Sequence, residues 1–305
     1  MKLVITGASG PFGFNTTQGL LDSGIPASDL ILVSRNPDKL KDFTDLGADA
    51  RRGDFDDYDS LLAAFTGGEK MLMISTNRVG QREPQHSNAV NAARAAGIRH
   101  IVYTSFVGKA ECDDSIAVHD HRVTETLIKD SGMQWTFLRN SQYAEAMRDA
   151  GAPAALKSGQ WLSASGDGRI AMISREDCIR AAVAVMASEG HQGKTYNITG
   201  PELISYRELC DLVSELADKP ITYKGISADE LYAFFDSLGI PRSAQDDHVV
   251  DGFGWCSDDM VSFETMIKNG GFAVISDDVE QLTGRKPETV RAFLSRYREA
   301  LSGSA

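Results

Sequence analysis

An α/β fold, with a doubly wound parallel sheet and a smaller, mostly helical C-terminal part, is what this 305-residue sequence predicts. Two observations carry that expectation. Short apolar runs alternate with segments of helical spacing over the first half of the chain, and the first of those runs leads directly into Gly7, Gly10 and Gly13. Strands that alternate with helices pair in parallel through right-handed crossovers, so helices cover both faces of the sheet.

Residues 2–6 read as the first strand, followed by the glycine turn and a helical stretch beginning over Thr16 to Leu21. Further strands are expected at 30–34, 50–54, 70–75, 100–104 and 135–138, with helical spacing at 58–65, 84–96 and 118–130 between them. After Tyr143 the rhythm breaks, and 144–167 scatter Gly, Ala and Ser among short apolar runs. A strand at 194–198 and helices at 206–217, 228–238 and 287–297 follow without a second glycine fingerprint. The expected division is a Rossmann dinucleotide-binding unit over 1–150, joined by a segment returning over about 170–200, and a smaller substrate cap over 151–305. That cap is placed over the carboxyl edge of the sheet, where open α/β sheets bind ligands.

Composition narrows the function. Hydrophobic residues at 42% and charged residues at 24% are the balance of an ordinary globular protein. A net charge of −12 with no basic stripe speaks against a nucleic-acid partner, since backbone phosphates call for clustered Lys and Arg. No run approaches the ~18–20 apolar residues of a membrane span. Lys2 passes straight into an apolar run and a glycine turn with no signal-like region, so a cytoplasmic location is expected. Cys112, Cys178, Cys210 and Cys256 lie far apart, which excludes a zinc knuckle or redox dithiol motif and leaves buried free thiols as the expectation.

The run Thr6 to Gly13 places GxxGxxG between a strand and a helix. Gly7 permits the tight turn, Gly10 lets backbone N–H groups approach a pyrophosphate, and Gly13 lets helix and strand pack closely, with Ser9, Pro11 and Phe12 completing the turn. A structural turn without ligand is the plainer alternative. At the end of the second strand, where an NAD-specific fold places a carboxylate, stand Ser34, Arg35 and Asn36, with Lys39 one turn on. A guanidinium pairs bidentately with a 2′-phosphate, so NADP(H) is expected in preference to NAD(H); a solvated basic loop explains the same residues, and Asp38 lies past the strand end. Asp54 and Phe55 after the third strand offer a carboxylate and a ring to the adenine. Ser75, Thr76 and Asn77 after the fourth strand, and Thr104, Ser105 and Phe106 after the fifth, place hydroxyls and a ring where nicotinamide and its ribose lie, although helix capping explains the Ser and Thr residues equally well.

Alcohol dehydrogenation by a Tyr/Lys pair is disfavoured, because none of the eight tyrosines is followed by Lys at the fourth position. His119 and His121 are two apart and point to different faces of one helix, so no metal site is expected. His121 and Glu125 share a face at i, i+4, which suits a histidine directed at the cofactor and oriented by a carboxylate; a surface pair is the alternative.

In order along residues 1–215, TGASGPFG, SRNPDKL, RRGDFDD, Gln85-His86-Ser87-Asn88 with AARAAGIRHIVYTS, the stretch His121 to Glu125, WTFLRNSQYAE, SREDCIRAAV and KTYNITG resemble the NmrA-like group of atypical short-chain dehydrogenases. The resemblance is greatest to its bacterial quinone oxidoreductase and triphenylmethane reductase branch. Beyond residue 215 it is carried mainly by TGRKPETVRAFL. It implies an NADPH-dependent oxidoreductase, monomeric or homodimeric, that passes hydride to an electron-poor aromatic or quinone acceptor needing little acid catalysis. By similarity the three glycines, Arg35, Asp54, Ser75 and Thr76 belong to cofactor binding. Asn140 and Tyr143 belong with Phe106 to the substrate wall, and Tyr143 and His121 are the catalytic candidates. In isoflavone-reductase relatives a catalytic Lys falls where this chain has His121, so ether- or enone-reducing chemistry is in doubt. The same group includes regulators that bind dinucleotides as redox sensors without turnover, the alternative that the resemblance leaves open.

Overall fold

The computed structural model describes residues 1–245 and 256–302. Its first half alternates β1 (Leu3–Ile5), α1 (Pro11–Asp22), β2 (Leu30–Ser34), α2 (Lys41–Thr44), β3 (Asp49–Arg52), α3 (Tyr58–Phe65), β4 (Lys70–Met73), α4 (Arg82–Ala96), β5 (His100–Phe106), α5 (Ile116–Asp130) and β6 (Gln134–Asn140). The second half runs through α6 (Ala144–Ala146), α7 (Ala152–Ser158), β7 (Gln160–Ser163), β8 (Arg169–Ile170), α8 (Arg175–Ala187), β9 (Lys194–Ile198), β10 (Ile204–Ser205), α9 (Tyr206–Ala217), β11 (Thr222–Gly225) and α10 (Ala228–Ser237). It closes with α11 (Ser257–Lys268), α12 (Asp278–Thr283), α13 (Val290–Ser295) and α14 (Arg298–Ser302).

Seven strands form one parallel sheet in the order β3-β2-β1-β4-β5-β6-β9. The expected α/β class is therefore present, with helices on both faces. Burial on both faces explains why β1, β2 and β4 are nearly unbroken apolar runs rather than alternating ones. One face packs Val4, Ile31, Met71, Ile101 and Tyr103 against α3, α4 and α5; the other packs Leu3, Ile5, Leu32, Leu72 and Leu138 against α1 and α8. A third cluster, around Trp161, Leu209, Val213, Phe272 and Phe293, fills the C-terminal part.

β9 pairs with β6, Thr136 opposite Lys194 and Asn140 opposite Ile198, so the late strand completes the sheet. α8 lies so close to α1 that a Cβ on Gly19 would sit 2.7 Å from Val183 Cγ2. At the opposite edge from the glycine turn, the buried Lys70 Nζ donates to the carbonyls of Val185 (2.6 Å) and Ser188 (2.8 Å), which closes the C-terminus of α8.

Several boundaries depart from the sequence reading. α1 begins at Pro11 rather than near Thr16, because proline suits the first helical position, where its missing N–H costs nothing. β3 ends at Arg52, since Gly53 enters a turn in which a Cβ would meet Val33 Cγ1 at 2.5 Å. Residues 144–158, expected to be irregular, are helical through α6, a π turn over Met147–Gly151 and α7; alanine content favours that conformation. Among the described residues no helix is long and apolar enough to cross a membrane.

Candidate functional site

The glycine turn is shaped as an anion cradle. Gly7 has φ +59°, Gly10 is the N-cap of α1 with no capping side chain, and the first turn carries no acidic residue, so its N–H groups remain available. A Cβ on Gly13 would lie 2.5 Å from Gly7 O and 2.7 Å from Ala8 Cα, whereas one on Gly10 would lie 3.3 Å from Gly7 O. Helix and turn are thus in backbone contact, as a pyrophosphate cradle requires. Pro11 is exposed at the first helical position, Phe12 is buried, and Ser9 Oγ meets Ser34 Oγ at 2.7 Å, which ties the turn to the end of β2.

Beyond β2, Ser34 Oγ accepts the Asn36 N–H and Asn36 Oδ1 accepts the Asp38 N–H, so the strand end is braced by side chains. Arg35 and Lys39 are exposed. Asp54 accepts the Asp56 N–H, and its own N–H donates to Ser60 Oγ, while the half-buried Phe55 meets His86 edge-on at 6.1 Å.

Toward the middle of the sheet, Ser75 N–H donates to Thr104 Oγ1 at 2.9 Å and Thr76 N–H donates to His86 Nε2 at 3.2 Å. Ser75 and Thr76 are half-buried and Asn77 is exposed at this edge. Ser105 is a correction to the sequence reading. It is 2% exposed and its hydroxyl donates to Glu125 Oε1 at 2.6 Å, so it is turned into the face covered by α5 and spent there.

His121 needs a larger correction. Glu125 does not orient it, because the Glu125 carboxylate receives Arg139 through two bonds (2.8 and 2.6 Å) besides Ser105. Instead Arg82 Nη1 donates to His121 Nε2 at 3.2 Å, which leaves the imidazole proton on Nδ1 to donate to the Tyr103 hydroxyl at 2.7 Å. Burial first, then Arg82 and His86, holds the His121 pKa well below the ordinary range. A neutral, 4% exposed ring with its single proton already engaged is no general acid. His119, by contrast, is exposed beside Asp113.

Sequence reading gave no role to Arg82 or Asp120 and met His86 only within a motif. Arg82 also donates from Nε to Thr76 O at 2.7 Å, which braces the loop after β4, and Asp120 accepts the Gly80 N–H at 2.6 Å. His86 Nδ1 lies 2.8 Å from Thr124 Oγ1. No spacing rule marks Arg82, since α4 begins two residues before the expected start and its partners lie on α5 and in the loop after β4.

At the end of β6, Asn140 is 3% exposed and its Nδ2 donates to the Tyr143 hydroxyl at 3.2 Å. Burial raises the Tyr143 pKa beyond its ordinary value, so the phenol stays protonated. Phe106 faces Phe263 of α11 at 5.9 Å and Phe272 at 5.7 Å between ring centroids.

The NAD(P)H-binding family matches residues 7–189, more than half of the sequence. The chain belongs to that family. It is similar to quinone oxidoreductase 2 of Escherichia coli strain K12, at 37% identity over 244 residues that cover 80% of this chain and 84% of the relative. The crystal structure of an NADPH-dependent quinone oxidoreductase from E. coli, complexed with NADPH, superposes with a TM-score of 0.86 at 34% identity over 96% of this chain and 99% of that one. Citrobacter sp. triphenylmethane reductase complexed with NADP(H) gives 0.83 at 30% identity over 96% and 100%. These likenesses fall in the branch that the motif series resembles, and the chain is an NAD(P)H-dependent oxidoreductase.

Within this family member the buried histidines and carboxyls pull stability in opposite directions. Burial, followed by Arg82, lowers His86 to about 3, and burial, followed by Lys70, lowers His100 to about 4. The unfolded chain therefore takes up protons near 6.5 while the fold refuses them, and stability is lost as pH falls from about 6.5 toward 4. Burial raises Asp259 to about 6 and Glu264 to about 7, and those groups lose stability as pH rises from the ordinary carboxylate range to these values. The two effects oppose each other between about 4.5 and 6.5, and below that range the histidine loss is joined by Glu208, Glu215 and Glu230, whose carboxyls are held below the ordinary value by hydrogen bonds from Ser205, Arg291 and Ser227. The midpoint of thermal unfolding should accordingly fall steeply only below about pH 4.5. His100→Gln, which keeps a partner for Thr136 Oγ1 (2.8 Å from His100 Nε2), should flatten the acid limb; unchanged pH slopes would reject this assignment.

Proposed function

We propose that this NAD(P)H-dependent oxidoreductase prefers NADP(H) and passes hydride to a quinone-like or conjugated aromatic acceptor. The observation that carries the cofactor preference is the end of β2, where Arg35 stands exposed and no carboxylate occupies the ribose position. Arg35 with Lys39 holds the 2′-phosphate, the cradle of Gly7, Gly10 and Gly13 with Ser9, Pro11 and Phe12 holds the pyrophosphate, and Asp54 and Phe55 border the adenine. Ser75, Thr76 and Asn77 border the nicotinamide ribose, and Thr104, 3% exposed with its hydroxyl accepting the Ser75 N–H, braces that edge from beneath.

When bound, the dinucleotide supplies the hydride. The protein's share is placement and exclusion of water. Phe106, half-buried at the carboxyl end of β5 and packed edge-to-face with Phe263, supplies an apolar aromatic wall suited to a flat ring. Neither His121 nor Tyr143 is poised to release a proton at neutral pH. That suits an acceptor whose reduced anion is delocalised and takes its proton from water afterwards. The E. coli relative's description as a quinone oxidoreductase supports the same acceptor class.

The reading is tested by following NADPH absorbance with simple quinones, triarylmethane dyes and enones. Steady oxidation with quinones is expected. No oxidation across the panel would reject the acceptor class and favour a non-turnover dinucleotide sensor. Arg35→Asp should weaken NADPH binding by roughly 10- to 100-fold, the loss of a charge-assisted hydrogen bond, and leave NADH within about threefold. Equal losses for both cofactors would reject the 2′-phosphate role.

A further inference from the structure

Asn140 presents an unsatisfied demand. Its Nδ2 is used on Tyr143, but its Oδ1 is buried without any hydrogen-bond partner. A buried amide oxygen left bare costs on the order of 1–3 kcal/mol, so such an atom in a well-packed site points to a missing donor. Tyr143 has the complementary surplus. Its hydroxyl oxygen accepts from Asn140, and its own proton has no acceptor among the described residues.

The pair is held in place on all sides. Val107 N–H donates to Asn140 O, and Ser141 N–H donates to Ile198 O, which fixes the end of β6 between its two neighbours. Tyr143 bridges to Ile173, Ala144 N–H donates to Ile173 O, and the Arg175 guanidinium lies 5.3 Å from the Tyr143 ring centre. Tyr143 also packs into the apolar cluster that contains Ala8 and Phe12 of the glycine turn, so the two features share one face of the sheet. β6 is three strands from β1 in the order β1-β4-β5-β6, or about 14 Å at the usual strand spacing. A dinucleotide whose pyrophosphate rests over α1 extends its nicotinamide half in that direction.

One acceptor and one donor side by side match a primary carboxamide, which offers an N–H donor and a carbonyl acceptor on the same edge. We propose that Asn140 and Tyr143 form a clamp for the nicotinamide carboxamide, with Asn140 Oδ1 accepting its N–H and the Tyr143 hydroxyl donating to its oxygen. This rests on the NADP(H) reading above. It moves both residues from the substrate wall to the cofactor, and it gives the clamp the task of fixing which face of the ring meets the acceptor.

The test compares NADPH with its reduced 3-acetylpyridine analogue, in which a methyl group replaces the carboxamide nitrogen, by fluorescence titration without any acceptor. The wild-type protein should bind the analogue about tenfold more weakly, because Asn140 Oδ1 then stays bare. Asn140→Ala should bind the two within about twofold of each other, and Tyr143→Phe should weaken both roughly equally, by about fivefold, while keeping the discrimination. Thermal unfolding identifies variants that fail to fold, and Tyr143→Phe, which deletes one oxygen, stands as the second arm. A wild-type protein that does not discriminate, or an analogue penalty unchanged in Asn140→Ala, overturns the clamp and leaves NADPH binding standing. An unchanged NADPH affinity in Tyr143→Phe, with a raised KM for the quinone, overturns it by placing the pair against the acceptor. Failure of the wild-type protein to bind NADPH at all overturns both this inference and the reading on which it rests.

Discussion

Gly13→Ala should reduce NADPH affinity by at least about 100-fold and lower folding stability by about 1–3 kcal/mol, the usual cost of overpacking. The atoms in the way are Gly7 O at 2.5 Å, Ala8 Cα at 2.7 Å and Gly7 C at 2.9 Å. All three are backbone, so no rotamer change relieves the contact, and the turn itself must open. Opening it moves the N–H groups that face the pyrophosphate, which couples the stability loss to the binding loss. Gly10→Ala provides the internal comparison, since its single contact of 3.3 Å to Gly7 O yields to a shift of a few tenths of an ångström. Fluorescence titration of both variants should therefore rank Gly13→Ala far below Gly10→Ala. A Gly13→Ala protein that binds NADPH within threefold of wild type would refute the cradle.

The second large effect is expected at Glu125. Its carboxylate is buried and holds Arg139 through two bonds and Ser105 through a third. Glu125→Ala strands a guanidinium and a buried hydroxyl together. Breaking a buried pair in this way costs about 3–5 kcal/mol, and the partial solvent access of Arg139 (29% exposed) places this case toward the lower end. Urea melts should show that loss while NADPH affinity stays within a few-fold, because the pair lies on the α5 face of the sheet and no cradle residue touches it. A variant of wild-type stability would show that Arg139 finds its compensation in water, and a selective loss of cofactor binding would mean that Glu125 serves the site directly.

The sequence made the cofactor edge readable because the edge is built from local devices. A glycine turn between a strand and a helix, and an arginine one residue past a strand, keep their meaning without knowledge of distant contacts. The first six strands of the sheet were readable for the same reason; a strand at 194–198 was expected too, but its pairing with β6 was not. What was not readable depends on pairing across elements. Nothing local distinguishes a Glu125 that turns toward His121 from one that turns toward Arg139, since helical spacing offers only the first partner and the second comes from β6, where the register with β5 sets Arg139 beside Ser105. Nor does spacing reveal that Arg82, at the start of α4, claims the imidazole that seemed free to face the cofactor. The helical stretch over 144–158 escaped because Gly and Ala suit loops and helices alike, and its π turn has no sequence mark.

The Lys70 contact with the end of α8 bears on how this protein can be cut or recombined. A fragment ending near residue 150 would keep the glycine cradle but leave a lysine ammonium facing an empty groove, because the carbonyls it serves come from residues 185–188. It would also bare β6, seven residues long, as a flat sheet edge able to pair with copies of itself. A chimera meant to exchange acceptor specificity should therefore carry α8 and β9 with the amino-terminal half and place its junction after Ile198.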